Sequence, residues 1–329
     1  MRDAAAFLRA AGFGAAAIDW LPGDASHRRY ARLRGGPRPA LLMDAPPPED
    51  VRPFVAVARH VAGIGLSAPE ILAADEAAGF LLIEDFGDAT HAALLDAGAD
   101  ALPCYLEAAE ALAALHASPP PAFLPAWGAA EMARATAATF LDWWWPAAMG
   151  GAADAGTRAA LDAAITAMVA PFAQEGGFVH RDYFPANLMR LPGREGPRRT
   201  GLLDFQDAAR GSAAYDLVSL VEDARRDVAP EVRDAAIARY LAARGGIDRD
   251  RFAAAMAACA AQRHLRVAAL WVRLARRDNK PRYLAHGPRC WRLLDNALQH
   301  PATRPLRDFL DARIPAALRR NPLVLTEPA

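Results

Sequence analysis

Two regimes of hydrophobic patterning divide the chain near residue 104. Before it, short apolar runs are punctuated by Gly and Pro; after it, long Ala/Leu-rich stretches carry recurring arginines. Ala4 to Ala11 predicts a short helix closed by Gly12. Asp19 to Leu33 predicts a hairpin around Gly23-Asp24, and Ala40 to Met43 a buried strand. Pro46-Pro47-Pro48 breaks the chain, and Glu49-Asp50 then opens a helix to about Val61. Gly79 to Gly87 is an apolar strand ending in acidic and glycine residues. Helices are predicted over Cys104 to Ala117, Glu131 to Leu141, Thr157 to Phe172, Pro230 to Arg244, Arg251 to Arg277 and Arg289 to Gln299. Leu188-Met189-Arg190 and Gly201-Leu202-Leu203 read as antiparallel strands joined by the Pro, Gly and Arg-rich stretch from Leu191 to Thr200. With no internal repeat and no long low-complexity linker, this is an α+β chain, small and mixed at first, then large and mainly helical.

The polar residues that follow these apolar runs carry the chemistry. Phe178-Val179 leads into His180-Arg181-Asp182, with Asn187 five positions on, and Leu202-Leu203 leads into Asp204-Phe205-Gln206-Asp207. An H-R-D-x-x-x-x-N box followed by D-F-x is the spacing by which kinase-like folds assemble phosphoryl transfer. A hydroxyl nucleophile needs a carboxylate to orient it and take its proton, the role open to Asp182. Magnesium needs hard oxygen ligands, which Asn187 and Asp204 supply as an amide oxygen and a carboxylate. The predicted hairpin would bring those two together across 17 positions. Asp204 taken alone would also suit a turn.

Composition narrows the setting more than the function. Lys+Arg and Asp+Glu each number 38 among 329 residues, with pI near 7.1, so no global field recruits nucleic acid or an anionic membrane. Cys104, Cys259 and Cys290 are widely spaced and form no metal motif, so reduced buried thiols are expected. No leader pattern and no stretch of about 18 uncharged apolar residues is present, which points to the cytoplasm. No obligate protein partner is evident. Lys280 is the only lysine.

The HRD–N box and the D-F turn resemble the aminoglycoside phosphotransferase-like kinases of small molecules, and the resemblance spans nearly the whole chain. Gly23 to Tyr30, Met43 to Pro47, Asp204 to Ala208, Tyr215 to Leu220, Gln262 to Leu265 and Arg277 to Leu284 are similar to one branch. That branch is the bacterial anomeric kinases of N-acetylmuramate and N-acetylglucosamine in cell-wall recycling. The resemblance implies a two-lobed protein-kinase-like fold, with a nucleotide-binding N-lobe over 1–86 and a C-lobe over 87–329 holding the catalytic loop and acceptor pocket. It implies ATP with Mg2+, and backbone groups near Glu84, Asp85 and Phe86 binding adenine. It also implies that Asp216 anchors the catalytic loop from below, and that the helix bearing Gln262 and Arg263 borders the acceptor. A small-molecule kinase of aminoglycoside or choline type would share every catalytic residue, although the basic stretch from Gln262 to Lys280 suits cationic acceptors poorly.

One departure stands out. Protein kinases set a strand lysine against the nucleotide phosphates, whereas here Met43 occupies that slot. Arg28, Arg29 and Arg32 on the preceding hairpin would replace its charge through bidentate donation; a nucleotide-poor pseudokinase is the other reading. Ser26, in a turn with a single glycine, is a candidate phosphate donor, and Asp24 fits the turn itself. His180 and Arg181 are expected to brace the catalytic loop. Asp207 is expected to meet substrate or a structural arginine. One of Trp143, Trp144 and Trp145 is a candidate to stack on a sugar ring. His116, at a helix end, reads as structural.

Overall fold

The computed structural model describes residues 3–22, 28–173 and 176–322. Its elements begin with α1 (Ala5–Ala10), β1 (Ala17–Trp20), β2 (Arg29–Arg34), β3 (Ala40–Asp44), α2 (Arg52–Gly63), β4 (Ile71–Asp75) and β5 (Phe80–Glu84). Then come α3 (His91–Asp96), α4 (Ala101–Ala117), β6 (Ala126–Trp127), α5 (Ala129–Thr139), α6 (Trp145–Met149) and α7 (Ala155–Val169). Short strands follow: β7 (Gly177–Val179), β8 (Leu188–Arg190), β9 (Thr200–Leu202) and β10 (Ala209–Gly211). The chain closes with α8 (Ala214–Val221), α9 (Pro230–Arg244), α10 (Arg249–Arg277), α11 (Gly287–Ala297) and α12 (Arg304–Arg313). Among the described residues no helix is long and apolar enough to cross a membrane.

Two compact units divide these elements, and neither is continuous in sequence: one holds residues 1–115 and 185–208, the other 116–184 and 209–329. The first contains an antiparallel sheet in the order β1-β2-β3-β5-β4. Tyr30 stands opposite Met43 and Arg32 opposite Leu41, while Leu41 and Met43 face Ile83 and Leu81 across the next pair. Strand alternation sends these side chains to one face. Ala31, Leu33, Leu42 and Leu82 go to the other, where Leu8 and Phe13 complete a core. The predicted β8–β9 hairpin is present, with Leu188 opposite Leu202 and Met189 opposite Gly201. It is tied in by the bridges Ser67–Gly201 and Thr90–Met189. At Gly201 a β-carbon would lie 2.7 Å from the Phe86 ring, so this approach requires glycine.

In the second unit β10 lies between β6, parallel, and β7, antiparallel, which sets His180 at the end of β7. The 29-residue α10 is its axis, capped by the Asp248 side chain and packed against α5, α7, α8 and α11. The predicted helix through Leu141 instead changes pitch: Phe140–Trp144 is a π-helical turn ahead of Pro146. It turns Trp144 and Trp145 into the core, where Trp144 stacks on Phe140 and donates to the Arg320 carbonyl. Strand β4 and helix α8 had no sequence reading. Ala73 and Ala74 carry little strand signal, and α8 is only 8 residues long and buried along its whole length.

Candidate active site

Asn187 ends one turn before β8, and Asp204 follows β9 by two residues, so the hairpin pairing places both at one end. The Asn187 amide reaches Asp204 Oδ2 at 3.4 Å, and Gln206 Nε2 donates to Asp204 Oδ1 at 2.8 Å. Asp204 has φ +57°, a conformation that costs a non-glycine residue free energy. The turn is held by Phe205, fully buried against Phe54 with ring centroids 4.8 Å apart, and leaves the Asp204 carboxylate in solvent. An amide oxygen and one carboxylate suit magnesium, which takes its remaining oxygens from phosphates and water. No group of three or more His, Cys, Asp or Glu able to hold an ion occurs among the described residues.

Beside this pair lies a cavity of about 840 Å³, lined from the sheet by Tyr30, Arg32, Leu41 and Ile83 and from the hairpin by Asn187, Asp204 and Asp207. Burial pushes the Tyr30 phenol up to about 12; Arg28 opposes the rise, and Asp204 adds to it. Tyr30 is therefore a hydroxyl donor throughout the physiological range. Met43 is fully buried on the same strand face. All three arginines expected to replace the missing lysine charge line the cavity, and each is engaged by a carboxylate. Arg28 meets Glu49 at 2.9 Å, and Arg29 pairs with buried Asp44. Arg32 is clamped by Asp85 at 2.6 Å and Asp88 at 2.9 Å; Asp88 first, then Asp85, holds it more firmly charged than usual. At the rim, Glu84 binds Arg194 at 2.6 Å, and that guanidinium stacks 5.1 Å over Phe86. Ser26 and Asp24 lie outside the described residues.

The His180-Arg181-Asp182 loop belongs to the second unit. Buried Asp216 accepts the His180 N–H at 2.6 Å and the Arg181 N–H at 2.9 Å. Arg181 has φ +75°, and its guanidinium lies 4.1 Å from the Trp127 ring centroid. His180 is fully buried edge-on to Tyr183, whose phenol burial and Asp216 push well up. Asp182 follows, half-buried. Gln262 and Arg263 are almost wholly buried: Gln262 binds Thr136 Oγ1 at 2.8 Å, and Arg263 binds Ser219 Oγ at 2.7 Å. The next cation along α10, Arg266, bonds the Tyr215 hydroxyl at 3.2 Å and keeps its buried Nε without a partner. Burial pulls Arg266 down, but Tyr215 and Asp182 together raise it above its ordinary value. No local sequence signal distinguished Arg266 from the other arginines of that helix. Nor did any announce Asp85 and Asp88 as the acids of Arg32, 53 and 56 positions away.

Residues 19–255 match the family model APH, the phosphotransferase enzyme family. The chain is 38% identical to an N-acetylmuramate/N-acetylglucosamine kinase of Caulobacter vibrioides, over 96% of this chain and 97% of the relative. It is 40% identical to a protein of the same name from Pseudomonas aeruginosa, over 86% and 83% respectively. Among solved structures, the choline kinase LicA from Streptococcus pneumoniae shares the protein-kinase-like fold, at TM-score 0.58 and 12% identity over 88% of this chain and 93% of that one.

Proposed function

This chain belongs to the phosphotransferase enzyme family, and from that premise we propose that it moves the γ-phosphoryl group of ATP to the anomeric hydroxyl of N-acetylmuramate or N-acetylglucosamine. The observation that carries the reaction type is the Asn187–Asp204 pair at the end of the β8–β9 hairpin, beside an arginine-lined cavity of about 840 Å³. The acceptor follows from the relatives, which span almost the whole chain under one name.

Asp182 orients the acceptor hydroxyl and accepts its proton late, because the transition state of phosphoryl transfer is loose. A hemiacetal hydroxyl is more acidic than an ordinary alcohol, so a weak carboxylate base suffices. A magnesium ion held by Asn187 and Asp204 would neutralise charge on the phosphates. Arg28 and Arg29 offer donors to phosphate oxygens in place of the lysine that Met43 displaces, and Ser26 is a further candidate donor. Tyr30 donates its phenol hydrogen within the same cavity. Glu84, Asp85 and Phe86 form the hinge against which adenine rests, with the N-lobe ending at residue 86. Arg266, bonded to the Tyr215 hydroxyl, offers its remaining donors to an oxyanion on the acceptor. Asp207 remains a candidate acceptor contact, whereas Gln262 and Arg263, buried and bonded to Thr136 and Ser219, brace α10 and do not meet the sugar. His180, Arg181 and Asp216 hold the loop, and the reaction belongs in the cytoplasm.

The test is ADP release with Mg-ATP over N-acetylmuramate, N-acetylglucosamine, N-acetylgalactosamine, glucose, choline and kanamycin, with Asp182→Asn as the blank. Turnover confined to the first two sugars, and lost on their methyl glycosides, is the expected result. Turnover on choline or kanamycin alone would keep the chemistry and discard the acceptor. Buried Met43 favours a second reading, a pseudokinase; silence over the panel with no ATP binding would establish it.

A further inference from the structure

The Asp216 carboxylate, which holds the His180 and Arg181 amides, has a third neighbour. His116 places Nε2 3.4 Å from Asp216 Oδ2, and its other ring nitrogen, Nδ1, lies 2.8 Å from the Tyr240 hydroxyl. Asp216 and Tyr240 are fully buried, and His116 is 5% exposed. A carboxylate only accepts, so Nε2 carries the hydrogen, while Nδ1 meets the Tyr240 hydroxyl, a group able to donate or accept. In the series Tyr240–His116–Asp216–Arg181, the carboxylate thus accepts from the ring on one side and from the Arg181 amide on the other. Arg244 ties down the His116 carbonyl, and Tyr240 stacks on Phe252 with centroids 5.6 Å apart, so both members are anchored at their own backs.

The need for such a brace comes from Arg181. A non-glycine residue at φ +75° keeps that conformation only while its surroundings over-determine it. Two neighbouring backbone N–H groups fix where the carboxylate oxygens sit but resist its tilting only weakly. A side-chain donor from a different element removes that freedom.

We propose that His116, held by Tyr240, is a positioning residue for phosphoryl transfer: it sets the Asp216 carboxylate, which fixes the left-handed turn at Arg181 and so aims Asp182. This rests on the phosphotransfer reading above. Neither residue touches the reacting groups.

The experiment compares His116→Leu, His116→Gln and Tyr240→Phe with the unsubstituted protein. Gln keeps an N–H donor near the reach of Nε2; Leu keeps bulk alone. His116→Leu is expected to lower kcat about 10²-fold with KM for ATP and acceptor within about twofold. His116→Gln recovers most of that loss, and Tyr240→Phe loses about fivefold. Hydrogen exchange of the peptide 178–184 gives a reading that needs no turnover. The His180 and Arg181 amides are expected to exchange about tenfold faster in His116→Leu and near the unsubstituted rate in His116→Gln. Should His116→Leu not fold, Tyr240→Phe, which removes one oxygen from an otherwise intact core, carries both measurements. Unchanged exchange over 178–184, no difference between Leu and Gln, or KM moving as far as kcat would each overturn the proposal. If the unsubstituted protein releases no ADP, the phosphotransfer reading falls, and the exchange data still decide whether His116 sets the loop.

Discussion

Asp216 Oδ1 accepts the Arg181 N–H at 2.9 Å, at the residue where the loop carrying Asp182 passes through the left-handed region at φ +75°. The companion oxygen takes the His180 N–H at 2.6 Å, so one buried carboxylate satisfies two consecutive amides. Removing it leaves both without this acceptor in a dry interior. Asp216→Ala is therefore expected to cost about 2–5 kcal/mol of stability. Denaturant unfolding measures this; a loss below about 1 kcal/mol would mean that water or another group takes over.

The missing lysine gives the second prediction. All three nitrogens of Arg32 bond Asp85 or Asp88, whereas the Arg29 side chain stays 40% exposed while paired with Asp44. Arg29→Met should raise the Kd for Mg-ATP about tenfold, the scale of one charge-assisted contact. Arg29→Lys should recover part of it. Calorimetric titration reads the result, and equal affinity in all three proteins would remove Arg29 from the phosphate site.

Gly201 and Phe86 give a third. An alanine β-carbon would lie 2.7 and 2.9 Å from two Phe86 ring atoms and 3.0 Å from Leu191, so the ring at the cavity rim must move. Gly201→Ala should cost about 1–3 kcal/mol by overpacking and weaken nucleotide binding. The double variant Gly201→Ala/Phe86→Ala should be less destabilised than the sum of the singles, because the second change removes the clash. Strict additivity in unfolding experiments would show that the backbone yields instead.

A pH dependence follows from His91 on α3. Burial first, then Arg190, pulls its imidazole down to about 4, against 6.5 ordinarily. Because the folded value is the lower one, the unfolded chain takes up the proton first on acidification. Stability is therefore held above pH 6.5, lost as pH falls from 6.5 towards 4, and not lost further by this group below that. Between pH 7 and 5 the loss assigned to His91 is about 2 kcal/mol. His91→Gln should flatten that part of the curve in denaturant titrations; parallel curves for the two proteins would exclude it.

The chemistry was legible because it is local. Asp182, Asn187 and Asp204 stand at fixed short spacings after apolar runs, and the β8–β9 pairing that joins the last two follows from strand period and an intervening turn-rich loop. The α10 helix was legible from its long Ala- and Arg-rich run free of Gly and Pro, although its middle, from Ala258 to Leu265, is buried all round. Strand β4 at Ala73-Ala74, the fully buried α8 and the π-helical turn at Phe140–Trp144 were not, since each is chosen by what packs around it.

The sequence by itself determined the reaction class, through residue types whose acid–base and ligand properties hold wherever they sit, and the helical or extended habit of most segments. Tertiary structure decided which charges are already spent. Arg32 is committed to Asp85 and Asp88, Gln262 and Arg263 are turned into the helical core, and His116 is joined to Asp216 across 100 positions. Those pairings depend on distances through space between segments whose own periodicities carry no record of one another, so only the folded chain could reveal them.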